Sequence, residues 1–200
     1  MNLRLLVAAL ERNLGNTLTP ELAQGLLSTL QQPDLNDRIN VEDIPAEEYE
    51  GCLILAERIE DLVDEIKPLH AAHWAETESY RHGIELNADY DYMVNAERQG
   101  RFILFTVRYE GTLVGNCMMY LSKSTHTQKW VAEEDTIFIL PEYRKGRLGV
   151  RLIRYVEDVL RNMGISEIRI TVKTVNTVAK LMMRMGYAHT GNQLTKVFEE

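Results

Sequence analysis

The spacing of apolar residues predicts that the chain begins with two helices. Over the first 32 residues, leucines recur every three or four positions, which is the spacing of one apolar face on a helix. Gly15 ends the first pattern, and Thr19 followed by Pro20 is a typical start for a second helix. Because an apolar face on so short a helical pair is unstable in water, we expect the pair to dock on the rest of the chain or on another subunit.

A polar segment separates this helical pair from the rest of the chain. Residues 33–49 are mostly polar and acidic and contain two prolines, which is typical of a linker. We therefore divide the chain into an N-terminal helical extension with its linker, residues 1–49, and a second unit, residues 50–200. A length of 200 residues suffices for one well-buried domain with a short appendage.

The second unit changes from helical to strand periodicity near residue 101. Before that point, the apolar run 52–56 fits a strand or the start of a helix, and Pro68 interrupts or kinks the helical pattern that follows. A further helix is predicted over residues 70–80. The elements predicted after it are strands at 102–107, 112–121 and 130–140, a helix at 148–163, a strand at 167–172, a short helix at 176–185 and strand residues near 187 and 195–198. This order predicts an α/β (α+β) fold with a mixed sheet and a parallel strand pair in its middle.

Composition and charge exclude several classes of protein. Hydrophobic residues make up 45% of the chain, which is typical of a globular protein, and the net charge of −8 argues against a protein that coats nucleic acid or an anionic membrane. Residues 5–10 are too few to span a membrane and lack a signal cleavage site. Cys52 and Cys117 have no metal-ligand spacing, which predicts unpaired buried thiols, no metal site and a cytoplasmic location.

One short segment concentrates positive charge in this acidic chain. A predicted buried strand ends at Pro141, and a basic loop with Gly146 and Gly149 leads directly into a helix. Unpaired N–H groups and the positive end of the helix converge at such a loop, which suits it to bind phosphate. Residues 144–154 contain five of the 22 lysines and arginines. The alternative is that these charges simply solvate the start of the helix.

Residues 137–150 resemble motif A of the GNAT superfamily of acyl-CoA N-acyltransferases. That motif reads Gln/Arg-x-x-Gly-x-Gly/Ala and lies between a strand and a helix. Arg144 matches its first position and Gly149 its last. Arg147 occupies the position of the middle glycine, and Gly146 stands one place early.

Other stretches extend the resemblance over about residues 50–199. Residues 176–179 and 185–187 are similar to motif B and the Gly-aromatic pair that closes it. Residues 73–76 and 126–135 also resemble GNAT proteins that are encoded by tailed bacteriophages.

The resemblance implies a GNAT-like fold and acetyl-CoA as the acyl donor. In that fold, a mixed and mostly antiparallel sheet contains a splayed central pair of parallel strands, and helices flank the sheet. The gap between the splayed strands would admit the pantetheine arm, and the basic loop would bind the pyrophosphate. The cofactor-binding residues implied in this way are Phe138, Ile139, Leu140, Arg144, Lys145, Gly146, Arg147, Leu148, Gly149, Val150 and Asn176.

The implied reaction needs a general base, because an amine with a pKa of about 10.4 is mostly protonated at about pH 7. Glu133, Glu134 and Asp135 lie where the family often has a catalytic carboxylate. Strand alternation puts Asp135 on the side of Ile137 and Glu134 on the opposite side, and a bulge would reverse that assignment. We favour Asp135 as the base, with Glu134 second; the alternative is that the acidic residues only solvate the strand.

The general acid is less clear from the sequence than the base. GNAT enzymes commonly have a tyrosine four residues before the Gly-aromatic pair, and Met182 occupies that position here. Releasing a thiolate with a pKa of about 8.5 at about pH 7 costs ~2 kcal/mol, or roughly thirtyfold in rate. Water, Tyr187 or another tyrosine could protonate the leaving group, and His70, His73 and Trp74 could line the acceptor site.

Two functions follow from these expectations. The first is an N-acetyltransferase that transfers an acyl group, most simply acetyl, to a primary amine by direct attack in a ternary complex. Its acceptor is a small molecule or a protein amine; the sequence leaves the oligomeric state open, and a homodimer is one possibility because many relatives dimerise. The second function, which Met182 and the displaced glycine favour, is a catalytically impaired module that binds acyl-CoA or a partner protein.

Overall fold

The fold is built on one mixed sheet with helices on both faces. The computed structural model describes residues 7, 10–31, 39–77, 84–173 and 178–196. The strands of the described chain are β1 (Glu47–Tyr49), β2 (Cys52–Glu57), β3 (Phe102–Tyr109), β4 (Thr112–Lys123), β5 (Trp130–Ile139) and β6 (Glu167–Arg169). The helices are α1 (Pro20–Gln31), α2 (Ile59–Thr77), α3 (Tyr90–Arg98), α4 (Leu148–Asn162) and α5 (Val178–Arg184).

The strands follow one another in the sheet in the order of the sequence. Each pair from β1 to β5 is antiparallel, and β5 pairs with β6 in parallel. This confirms the predicted mixed, mostly antiparallel sheet with one parallel pair. Within the described residues β6 is the last strand, so the pair lies towards one side of the sheet rather than in its middle.

Each face of the sheet is covered by its own apolar layer. On what we call the α4 face, α4 packs against strand residues that include Phe105, Cys117, Met119 and Ile139. On the α2 face, α2 and α3 pack against residues that include Leu104, Met118 and Phe138. Helix α4 forms as predicted, because its apolar residues recur every three or four positions.

Helix α2 differs from the two helices that the sequence predicts. It is a single helix that continues through Pro68, so the expectation of a separate helix over residues 70–80 is wrong. A proline removes one hydrogen bond from a helix, but Leu62, Ile66 and Leu69 keep the buried face continuous across it. Tyr80 lies outside the described residues.

The predicted linker contains ordered elements where a polar loop is expected. A 3₁₀ turn, Val41–Asp43, buries Val41, and β1 forms a hairpin with β2. The turn of this hairpin has positive φ angles at Glu50 and Gly51. Short alternating strands with polar outer residues resemble a linker in the sequence, which explains the difference. The division of the chain at residues 49 and 50 stays a prediction.

The elements predicted near the two ends of the chain are confirmed only in part. The second helix starts as predicted, with Thr19 Oγ1 accepting the N–H of Leu22 at 3.2 Å, whereas most of the first helix lies outside the described residues. Strand β6 is shorter than expected, and residues 187–196 form no strand. Residues 197 and 198 lie outside the described part of the chain.

The described residues also show the state of the two cysteines, the character of the helices and the grouping of possible metal ligands. Cys52 and Cys117 are both buried and unpaired, as predicted. No described helix has the length and apolar character needed to cross a membrane. The same residues hold no cluster of three or more His, Cys, Asp or Glu side chains that could bind a metal ion.

Candidate active site

A β-bulge in β5 separates the two carboxylates that the sequence nominates. Met118 of β4 pairs with Thr136, and the next residue, Met119, pairs with Glu134. Asp135 is therefore an extra residue with no partner in β4. As a consequence, Glu134 shares the α4 face with Met119, whereas Thr136 shares the α2 face with Met118.

The bulge reverses the assignment that simple alternation predicts. Glu134 lies on the side of Ile137, whose partner in β4 is the buried Cys117. Asp135 lies on the opposite side, within electrostatic reach of His73 on α2 and Tyr120 on β4. The expectation that Asp135 shares the face of Ile137 is wrong, because the extra residue shifts the strand by one position.

The Glu134 carboxylate lies where the two parallel strands separate. Backbone pairing between β5 and β6 ends at Glu133 and Arg169. Beyond that point, the N–H of Thr171 donates to Glu134 Oε2 at 3.1 Å, so a side chain takes the place of the next backbone hydrogen bond. Burial raises the pKa of Glu134 to about 7, although the N–H group of Thr171 acts in the opposite direction. A carboxyl group with this pKa can exchange a proton near neutral pH.

Asp135 has a different environment on the α2 face. The hydroxyl of Thr136 donates to Asp135 Oδ2 at 3.2 Å. Burial raises the pKa of Asp135, and the Thr136 hydrogen bond and the nearby His73 partly offset that increase. Burial also raises the pKa of Tyr120, and the charge of Asp135 adds to the effect. The α2 face thus combines one carboxylate with aromatic and imidazole groups.

Residues 138–140, at the end of β5 and directly after it, are expected to hold the pantetheine arm. They differ in which backbone groups are free to bind a ligand. The carbonyl oxygen of Ile139 accepts a hydrogen bond from Arg144 Nε at 2.6 Å. The N–H of Leu140 donates to the carbonyl oxygen of Val114 in β4 at 2.9 Å, so it points away from β6. The side chain of Phe138 is buried on the α2 face.

The loop between β5 and α4 leaves an open surface at the start of the helix. Gly146 has a positive φ angle of 63°, which glycine adopts readily. A Cβ atom on Gly149 would meet no atom within 4 Å. The residue before the helix, Arg147, makes no side-chain capping hydrogen bond, so the first N–H groups of α4 stay available to an anion.

The side chains of the loop divide into exposed and buried groups. Lys145 and Arg147 are exposed, and both can approach a phosphate from solvent. Leu148 is 4% exposed and belongs to the core, and Val150 is half-buried. These two residues could contact a phosphate only through their backbone.

An acidic turn that the sequence places in the linker contacts this loop. A Cβ atom on Gly146 would lie 2.8 Å from Glu50 Oε2. Arg151 of α4 pairs with Glu47 and lies over the ring of Tyr49 at 5.5 Å. A cavity of about 380 Å³ lies between the turn and the loop, and its lining includes Tyr49, Glu50, Tyr109, Tyr143, Lys145 and Leu148.

The Arg144 guanidinium binds protein groups on two elements. Its Nη1 and Nη2 atoms donate to the two carboxylate oxygens of Glu76 at 2.8 and 2.7 Å, while Nε donates to Ile139. The guanidinium carbon lies 5.0 Å from the centroid of the Phe138 ring. The side chain that the sequence nominates for the pyrophosphate is therefore engaged by the end of α2.

The remaining candidate residues lie in and near α5. Asn176 lies outside the described residues. Met182 is 4% exposed, and its side chain has no proton to donate. Burial raises the pKa of Tyr187 and the charge of Glu157 adds to it, so this hydroxyl stays protonated at neutral pH.

Sequence reasoning missed the acidic partners of the basic loop. Glu76 is 68 positions from Arg144, and no local motif connects the two residues. Glu47 and Glu50 lie in the segment that reads as a linker. The only signal available in the sequence is charge complementarity, which does not select among 30 acidic residues.

Known protein families and structures can be compared with this fold and site. The model of the acetyltransferase (GNAT) family matches residues 59–187. No curated protein is similar enough to the chain to count as a match.

Several solved acetyltransferase structures resemble the chain. A ribosomal-protein-alanine N-acetyltransferase from Brucella melitensis biovar Abortus 2308 is 19% identical with a TM-score of 0.58, over 74% of this chain and 99% of that one. An aminoglycoside acetyltransferase from an uncultured soil metagenomic sample, in complex with sisomicin, is 15% identical with a TM-score of 0.57, over 75% and 96%. A predicted acetyltransferase with acetyl-CoA from Clostridium acetobutylicum is 12% identical with a TM-score of 0.58, over 73% and 96%.

At these identities the solved structures show the shared fold, and the family model identifies the chain. The match covers more than half of the 200 residues and includes β5, the basic loop and α4. The chain belongs to the acetyltransferase (GNAT) family and is an acyl-CoA-dependent N-acyltransferase.

Proposed function

We propose that this enzyme transfers an acetyl group from acetyl-CoA to a primary amine by direct attack in a ternary complex. The observation that carries the proposal is the Glu134 carboxyl group, which has a pKa of about 7 and lies where β5 and β6 separate. Acetyl-CoA supplies the activated acyl group. The side chains around the strand gap would orient the amine and remove its proton.

We propose Glu134 as the general base. Its carboxylate is largely buried on the α4 face, yet its pKa of about 7 leaves about half of the molecules deprotonated at neutral pH. The N–H of Thr171 holds one carboxylate oxygen, which fixes the orientation of the group. The sequence alone favours Asp135 as the base and puts Glu134 second. We propose the opposite order, because Glu134 rather than Asp135 accepts a hydrogen bond from the separating strand.

We propose that Asp135 binds the cationic form of the acceptor on the α2 face. It lies near His73 and Tyr120, and burial raises its pKa. Its charge would attract an ammonium group, and Tyr120 provides an aromatic surface beside it. Asp135 also remains the second candidate for the base.

The proposed acetyl-CoA site runs along β5 and onto α4. The open surface at Gly149 and the uncapped start of α4 support a phosphate position at the loop. Lys145 and Arg147 would add positive charge at this position, and the backbone N–H groups of the other loop residues would donate hydrogen bonds to the phosphate. Phe138, Ile139, Leu140 and Asn176 complete the proposed site.

We propose that the thiol leaves without the tyrosine that the family commonly uses. Met182 is buried and cannot act as an acid. For a thiol that titrates like cysteine, departure as a thiolate slows the reaction by roughly thirtyfold at about pH 7, which is compatible with turnover. Tyr187 lies just after α5, and its hydroxyl stays protonated at neutral pH. It is the possible general acid that is nearest to Met182 in the sequence.

We propose two alternative classes of acceptor, small amines and protein amines. Among the similar folds, one is a ribosomal-protein-alanine N-acetyltransferase and another is an aminoglycoside acetyltransferase bound to sisomicin. We also propose a cytoplasmic location, kinship with bacteriophage-encoded GNAT proteins and a homodimer. These proposals rest on the sequence resemblance and on the charge and cysteine pattern of the chain.

Calorimetric titration with acetyl-CoA and CoA, followed by thiol release on a panel of amines, tests the proposed function. The expected result is saturable binding of both ligands and thiol release that depends on one class of amine. Absence of binding by acetyl-CoA would contradict the proposal. The buried Met182 favours the second candidate function, a binding module, and that function predicts acetyl-CoA binding with no thiol release on any amine.

A further inference from the structure

We propose that the ion pair between Arg144 and Glu76 is a positioning device that ties α2 to the end of β5, so that the Arg144 side chain is not a phosphate ligand. The inference rests on the proposed function for its kinetic readout and on contacts in the structure for its geometry. It differs from the role implied by the GNAT resemblance, in which Arg144 belongs to the pyrophosphate loop.

The contacts of Arg144 occupy three of its five N–H donors, including both Nη atoms on the side that a bidentate anion would use. Both carboxylate oxygens of Glu76 accept from the guanidinium, at 2.8 and 2.7 Å, in the bidentate arrangement that suits an arginine. The third donor, Nε, is bonded to the carbonyl oxygen of Ile139 at 2.6 Å. A phosphate that bound in the same bidentate manner would have to displace a carboxylate that is already held by two hydrogen bonds.

On the other side of the pair, Glu76 lies in the last turn of α2, one turn after His73. The His73 ring packs against Phe138 with 5.4 Å between ring centroids, and Nε2 lies 3.1 Å from Thr77 Oγ1. The charge of His73 also lowers the pKa of Asp135. Fixing Glu76 therefore fixes the part of α2 that faces the bulge.

The exposure of the pair indicates that its role is orientation rather than stability. The side chains of Arg144 and Glu76 are 39% and 42% exposed. Ion pairs with this exposure contribute little to the stability of a protein, because water screens the charges. They can still fix one side chain relative to another when the contact is bidentate and packed on an aromatic ring, as here on Phe138.

The pair connects the two halves of the proposed ternary complex. Ile139 belongs to the edge proposed for the pantetheine arm, and His73 lies near Asp135 on the face proposed for the amine. Loss of either partner should therefore disturb the amine side of the reaction while leaving acetyl-CoA bound. A phosphate ligand predicts the opposite pattern.

The test compares R144Q, E76Q, the double variant R144Q/E76Q and the reversed pair R144E/E76R in the full chain. The control is R58Q, which removes another bidentate pair, with Glu42, next to the start of α2. We expect R144Q and E76Q each to change the Kd of acetyl-CoA less than about threefold, and to reduce kcat/KM for the amine by about tenfold. The double variant should be no worse than either single one. The reversed pair restores the charge contact but not the hydrogen bond to Ile139, so it should recover part of the activity.

A structural readout accompanies the kinetics. We expect the nuclear Overhauser contact between the rings of His73 and Phe138 to weaken in R144Q and in E76Q, to return in part in the reversed pair and to persist in R58Q. This readout needs no ligand, so it decides the positioning role even if the proposed function fails.

Three results would overturn the inference. The first is a loss of acetyl-CoA affinity of about tenfold or more in R144Q but not in E76Q, since this would make Arg144 a phosphate ligand. The second is additive effects in the double variant, and the third is an unchanged ring contact in every variant. By contrast, a wild-type protein that neither binds acetyl-CoA nor releases thiol contradicts the proposed function.

Discussion

The bulge in β5 and the loop that follows this strand differ in burial, charge and contacts. At the bulge, Glu134 is half-buried and Asp135 is more exposed, and desolvation raises the pKa of both carboxyl groups. At the other end, the loop that leads to α4 carries exposed basic side chains and an uncapped helix start. One strand thus joins an acidic region that contains the half-buried Glu134 to an exposed basic one.

This difference indicates that the two ends serve different parts of the reaction. Burial shifts a pKa and prepares a group for proton transfer, as at Glu134. Exposed N–H groups and cations can bind an anion that arrives from solvent, as proposed for the loop. Substitution of Glu134 should therefore affect kcat, and substitution of Gly149 or Lys145 in the loop should affect the affinity for acetyl-CoA.

The largest effect is expected from Glu134→Gln. Glutamine keeps an oxygen that can accept the N–H of Thr171 but cannot take a proton from the amine. We expect kcat to fall by roughly 10²–10⁴-fold, with the Kd of acetyl-CoA unchanged. Asp135→Asn is the matched comparison and should mainly raise the KM of the amine. If Asp135→Asn caused the larger loss in kcat, the base would be Asp135.

The same Glu134→Gln variant should have a characteristic stability profile. Because folding raises the pKa of Glu134 from 4.5 to about 7, its ionisation destabilises the wild-type protein as the pH rises through this range. We expect the variant to gain up to about 3 kcal/mol over the wild type between pH 4.5 and pH 7, and no more above it. Urea unfolding at several pH values measures this difference. A difference that does not change with pH would contradict the raised pKa.

At the loop, Gly149→Leu should move stability and affinity in opposite directions. The position lies in α4 and has open space where a Cβ would project, so a leucine should raise the free energy of unfolding by about 0.5–1 kcal/mol. If acetyl-CoA occupies that space, its Kd should rise about tenfold or more. Thermal unfolding and calorimetric titration measure the two quantities. A stable variant with wild-type affinity would move the ligand away from Gly149.

The smallest effect is expected from Lys145→Ala. This exposed side chain would contribute one screened charge, so the Kd of acetyl-CoA should rise about threefold at low salt and little at about 1 M salt. The value of kcat should stay the same. Lys123→Ala removes an exposed lysine at the end of β4 and serves as the control. Equal effects of the two variants would show general attraction rather than a loop site.

The sequence alone predicts most of the fold, and particular residues explain where it fails. Strands β3, β4 and β5 and helix α4 follow from local periodicity, and Gly164, with a φ angle of 84°, follows the end of α4 where expected. Helix α2 could not be predicted as one element, because the burial of residues on both sides of Pro68 is a tertiary effect.

The candidate site is only partly predictable for the same reason. The acidic pair in β5 and the basic loop are visible as local patterns. The bulge that assigns Glu134 and Asp135 to opposite faces depends on pairing with β4, which no local pattern specifies. The bond from Arg144 to Glu76 spans 68 positions and depends on how α2 crosses the sheet.

The pH dependence of kcat at saturating acetyl-CoA and amine tests most directly whether the buried carboxyl group at the bulge is the base. The pKa of Glu134 predicts that kcat rises with pH and levels off above a midpoint of about 7. In Glu134→Gln that rise should disappear from the small residual rate. A wild-type kcat that stays constant from about pH 5.5 to 8.5, or an identical rise in the variant, would contradict the account.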